Sequence, residues 1–103
     1  MYTLMDTPTG VYRVTTESST YVVDLDLMIV TRIPGVHNRE VATMRHDGQP
    51  MRLLGLDDCT VGRSLVMFVD LRIPGVPWTL RVSTAVRSIN AVAARAVVGG
   101  DRR

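Results

Sequence analysis

At 103 residues, with 46% hydrophobic and 21% charged residues, the chain is long enough for one core-forming domain, too short for two ordinary ones, and too apolar for disorder. Its net charge of +2 and pI of 9.2 are mildly basic and fall short of the footprint of a dedicated nucleic-acid binder. The single cysteine, Cys59, excludes an internal disulfide and suits a reducing compartment such as the cytoplasm.

Residues 1–10 hold no basic stretch followed by an apolar run, so no secretory signal is expected, and they read as an N-terminal extension. Residues 11–98 read as one β-rich domain and 99–103 as a frayed tail. The first run, Val11–Glu17, alternates: Tyr12, Val14 and Thr16 share one face. After a turn at Ser18-Ser19, Thr20–Leu25 alternates again, with Tyr21, Val23 and Leu25 together, and the pair predicts a hairpin. Met28–Ile33 is a third run and ends at Pro34-Gly35. Val36–Glu40 is polar and loop-like, and Val41–Arg45 is a short candidate strand. Asp47-Gly48 is a hairpin signal, with Met51–Leu54 as the return strand.

Ser64–Leu71 is the most apolar run. Residues 65–69 are apolar on both faces, which predicts a strand covered on two sides or one that meets a partner chain. Val66 and Phe68 are therefore the candidate interface residues. Trp78–Ile89 is the last long run, in which Leu80, Val82, Thr84 and Val86 alternate with Arg81, Ser83, Ala85 and Arg87. Asn90–Val98 is Ala-rich and has the composition of a short helix, stopped by Gly99-Gly100. The fold class is mostly β: a small barrel or sandwich of about six to seven short antiparallel strands, with that helix at the end. The longest apolar stretches are too short to span a bilayer as a helix, so no membrane role is expected.

Two features stand out from this pattern. Arg32-Ile-Pro-Gly-Val36 recurs as Arg72-Ile-Pro-Gly-Val76, each after an apolar run, which reads as two similar strand-then-turn units or, alternatively, as a duplicated half-domain. All 12 basic residues are arginine, which reads as the codon usage of a GC-rich genome or as a preference for bidentate contacts to phosphate or carboxylate, and their spread along the chain favours the first. The stretch from Arg13 to Asp26 with the later Val30–Arg32, the Asp47-Gly48 turn, Leu56–Leu65 and Ser83–Ile89 together resemble short uncharacterised proteins of actinobacteria and their phages. The resemblance covers most of residues 11–89 and implies an accessory protein of such a genome. It carries no activity and no site residues.

No familiar catalytic constellation has its spacing here. His37, His46, Asp57, Asp58 and Cys59 are the only candidates for metal or hydrolytic chemistry; the two histidines read as exposed loop residues, and neither H-x-x-x-H nor C-x-x-C occurs. Asp57-Asp58 reads as an acidic turn, and Cys59 as a small buried residue beside a strand. Phosphate-cradling glycine motifs are missing. No cofactor, metal site or catalytic residue is expected. The leading expectation is a non-enzymatic protein that binds an unidentified protein partner, with a homodimer as one form. The alternative is a nucleic-acid-binding barrel, with Arg13, Arg32, Arg72, Arg81 and Arg87 on phosphates and Trp78 for stacking. That alternative expects Arg81, Ser83 and Arg87 on one basic outer face.

Overall fold

A period of two residues puts alternate side chains on opposite faces of a strand, and this chain repeats that period between turn signals. In the computed structural model, which describes residues 1–33 and 48–92, the runs become β1 (Val11–Thr16), β2 (Thr20–Asp24), β3 (Ile29–Ile33), β4 (Pro50–Asp58), β5 (Ser64–Asp70) and β6 (Thr79–Ala91). They form one closed antiparallel barrel in chain order, β1-β2-β3-β4-β5-β6. Among the described residues there is no helix. The expected strand Val41–Arg45, the loop before it, the first Pro-Gly turn, both histidines and all but the start of the Ala-rich segment lie outside the described residues. Of that segment, Asn90 and Ala91 belong to β6 and are not helical.

Closure depends on β6. Its first half, Thr79–Ala85, pairs with β5, and its second half, Val86–Ala91, pairs with β1. Register shifts at both pairings bend this strand from one side of the barrel to the other. The core holds Val14, Tyr21, Val23, Val30, Met51, Leu53, Leu65, Met67, Val69, Val86 and Ile89, nearly all from alternate strand positions. The inner cross-strand pairs Val14–Tyr21, Val23–Val30, Val30–Met51 and Leu53–Val69 account for much of it.

Residues 1–10 also contribute, although the sequence suggests an extension. The N–H of Leu4 donates to the carbonyl of Cys59 (2.9 Å), Thr3 bridges Thr60, and Leu4 is buried. The turns follow their residues. Thr16 Oγ1 accepts from the N–H of Ser19 (3.1 Å) and closes the β1–β2 turn. Asp24 Oδ1 accepts from the N–H groups of Asp26 (3.0 Å) and Leu27 (2.9 Å) between β2 and β3. In the second Arg-Ile-Pro-Gly-Val segment the N–H of Val76 donates to the carbonyl of Ile73 (2.9 Å), with Gly75 at φ 83°. Proline followed by a left-handed glycine is the arrangement of a type II turn.

Two expectations are corrected. Asp57-Asp58 is not a turn: both residues belong to β4, which runs past Leu54 through two register shifts. The faces of β6 are also reversed in its first half. Arg81 lies opposite buried Met67, and its Nη2 contacts Met51 Sδ at 3.7 Å, so it points inward while Leu80 and Val82 point out. Beyond the shift, Val86 and Ile89 point in and Arg87 is exposed. An added residue at a bulge changes which face the later residues occupy, and strict alternation cannot anticipate it.

Candidate interaction surface

On the outer side of β4, β5 and β6 several exposed apolar side chains adjoin one another. Phe68 pairs with Leu80 and Val66 with Val82, and all of these side chains lie on the outer face, opposite to inward Leu65, Met67 and Val69. Leu54 joins them from the first bulge of β4, beside Gly55, which pairs with Phe68. Trp78, just before β6, sets its ring edge-on to Phe68 with centroids 5.4 Å apart and planes at 79°. Leu54, Phe68 and Trp78 floor a shallow depression of about 340 Å³. Leu54 is 43% exposed, Leu80 48%, Trp78 53% and Val82 61%. Val66 and Phe68, singled out in the sequence, thus sit at the centre of an apolar patch on the described part of the barrel.

Charged residues border this patch along β4. Arg52, towards the β5–β6 connection, lies opposite Asp70. Asp70 Oδ1 accepts from the backbone N–H of Arg72 (2.8 Å). At the other end of β4, exposed Asp57 lies in the second bulge, next to Asp58. Asp58 is held by Arg63, Nε to Oδ2 2.9 Å. Among the described residues neither Arg52 nor Asp57 forms an ion pair. A groove of about 760 Å³ runs from Leu54 past Arg52, Asp70 and Arg72 to Met28. Met28 and Arg72 both carry positive φ, 55° and 60°, which is strained for residues with a Cβ.

The residues of the nucleic-acid alternative are dispersed. Arg13 is exposed on β1, and Arg87 is exposed on the second half of β6. Arg32 is opposite buried Tyr21 and donates from Nη2 to Ser19 Oγ (2.7 Å). Arg81 points into the barrel, with its Nε buried and unpartnered. Arg72 and Trp78 lie on the β5–β6 connection. Inward Arg81 and exposed Arg87 do not share a face, and Ser83 Oγ is engaged locally, accepting from the N–H of Leu65 (3.2 Å) and donating to the carbonyl of Thr84 (2.7 Å).

Cys59 is completely buried under the N-terminal segment. Burial, reinforced by the negative charge of Asp58, pushes its thiol up to about 12, so at neutral pH it is a protonated packing group. His37 and His46 lie outside the described residues. Among the described residues no group of three or more His, Cys, Asp or Glu is placed to hold a metal ion, and no helix is long and apolar enough to cross a membrane.

Compared with protein-family models, with curated proteins and with solved structures, the chain matches none.

The residues that alternation missed are Leu54, Leu80 and Val82. The periodicity of β6 pairs Leu80 and Val82 with Val86 as one inward face. Only the pairing of β6 with β5 shows that these two belong outside, next to Val66 and Phe68.

Proposed function

We propose that this chain works by binding another protein, with the outer face of β4, β5 and β6 as its binding surface, and that it carries out no chemistry of its own. One observation carries this reading. Two successive cross-strand pairs, Val66–Val82 and Phe68–Leu80, are apolar on both sides, with Val82 and Leu80 exposed and Val66 and Phe68 half-buried, and exposed Leu54 and Trp78 extend them. Scattered exposed apolar residues are ordinary on protein surfaces, whereas a contiguous patch with a polar border marks an interaction site. The patch also has the composition of an interface centre: an aromatic pair over a shallow pocket, with charge kept to the rim. The resemblance to short actinobacterial and phage proteins supports an accessory role, and the lysine-free composition agrees with such a GC-rich genome.

The test is retention of proteins from a lysate of the native host by the wild-type chain and by Val82→Glu. A specific protein, a further copy of the chain included, is expected on the wild type and absent from the variant. Turnover of any substrate that is lost on a single polar substitution away from this face overturns the reading. So does retention that is identical in the two proteins.

A further inference from the structure

We infer that the protein covering this face is a second copy of the same chain, packed face to face about a two-fold axis that lies in the interface and runs across the strands. This inference rests on the binding-surface reading above and adds the identity of the partner.

The order of residues along β4 points to this partner. Its outer row begins with Arg52, which lies opposite Asp70, continues with apolar Leu54 and Gly55, and ends with the bulged pair Asp57 and Asp58, of which Asp58 is held by Arg63. Arg52 and Asp57 are exposed, and among the described residues neither forms an ion pair. A row that is positive at one end, apolar in the middle and negative at the other end is complementary to its own reverse. A two-fold axis of the stated direction reverses the strands and lays β4 over β4. Arg52 then meets the partner's Asp57, and Asp57 meets the partner's Arg52. The same operation lays β5 over β5, so Val66 and Phe68 lie against an apolar surface. A closed two-fold contact of this kind is self-complementary and stops at two copies. Face-to-face packing of two sheets within about 30° of alignment is the ordinary way such surfaces are covered.

The competing route to a dimer is edge pairing. Among the described residues Thr79–Ser83 have a ladder partner on the β5 side alone. Arg81, however, points inward from this stretch, and an inward charge on an edge strand discourages strand addition. The two routes respond differently to substitution: outward side chains decide the face contact, and backbone groups decide the edge contact.

The experiment is light scattering on the purified full chain over a concentration series, with each variant first shown to unfold cooperatively in urea. The wild type is expected at twice the 11.4 kDa of one chain. Val82→Glu is expected at the mass of one chain, and Val22→Glu, on the opposite outer face, at the wild-type mass. Arg52→Asp and Asp57→Arg each place like charges together twice per dimer and are expected to raise Kd about tenfold. The double variant restores opposite charges and is expected to return close to the wild-type Kd. A wild-type chain that stays monomeric up to about 1 mM overturns the second copy. If Val82→Glu then also loses a different captured protein, the binding-surface reading stands and the second copy alone falls. A dimer indifferent to Val82→Glu, or single charge variants that the double variant fails to rescue, overturns this geometry.

Discussion

On the outer face of β1, β2 and β3 each cross-strand pair has a polar member. Val11 stands opposite Asp24, Arg13 opposite Val22, Thr20 opposite Ile33, Val22 opposite Thr31, and Asp24 opposite Ile29. On the outer face of β5 and β6, Val66 stands opposite Val82 and Phe68 opposite Leu80. Both faces belong to one barrel and are built from the same β-forming residue types, so strand propensity does not separate them. Register does. An apolar residue beside a threonine or a charge is diluted into a solvated surface, whereas two adjacent apolar pairs make a patch that water covers at a cost. The polar face is complete as it stands, and the apolar face is the one that gains from a partner.

The sharpest way to break this contrast is to compare the two sides of β5 and β6 themselves. Met67 is inward and 1% exposed, and Met67→Ala is expected to lower unfolding stability by about 2–5 kcal/mol, read from urea denaturation. Leu80→Ala, on the outer face, is expected to change the stability of the monomeric chain by less than about 1 kcal/mol. Equal losses would make the outer face part of the monomer's own core and remove the contrast.

Cys59 gives an interior reference for the same comparison. The folded thiol keeps its proton to about 12, while the usual value is 9.0, so the folded state holds the extra proton between those limits. Stability is therefore present in full below pH 9.0 and falls as pH rises towards about 12, by at most about 1.4 kcal/mol per pH unit. Cys59→Ala should flatten that part of the profile. Val82→Glu should leave it intact, because the substitution touches only the outer face. A profile altered by Val82→Glu would mean that the outer surface and the buried thiol are coupled.

A smaller change converts one face into the likeness of the other. Val66→Thr with Val82→Thr makes both members of that outer pair polar, as in Thr15–Thr20 between β1 and β2. Monomer stability is expected to shift by less than about 1 kcal/mol, while self-association by light scattering weakens at least about tenfold. Association that survives this exchange would show that the apolar pairs are not what drives it.

How far the sequence showed all this follows from where alternation holds. β1, β2, β3 and β5 keep a strict period of two, so their inner residues and the excess at Val66 and Phe68 could be read directly. β4 and β6 contain register shifts. Each shift alters the assignment of the residues beyond it, which is why Leu80 and Val82 read as inward and Arg81 as outward. The bulge position of Leu54 and the opposed ends of the Arg52–Asp57 row have no sequence signature, because both depend on what lies across the strand. Leu4 was equally invisible: its burial comes from a bond to Cys59, far away in the chain. The barrel was legible as a class of fold, and closure was not, since it rests on β6 changing partners part-way along.

The smallest expected effect concerns the aromatic pair. Trp78 is the single tryptophan and makes a T-shaped contact with Phe68, so tryptophan emission reports on the apolar face. Phe68→Leu keeps an apolar side chain at that position but removes the edge contact. It is expected to cost about 0.5–1.5 kcal/mol and to shift the emission of Trp78 to the red. In the wild type, dilution through the dimer dissociation range should produce a red shift as well, because the half-exposed indole loses the cover of the second copy. The mass and the emission should then change over one concentration range. A mass that halves on dilution with no movement in Trp78 emission would mean that the two copies meet elsewhere, and the apolar face would still lack its partner.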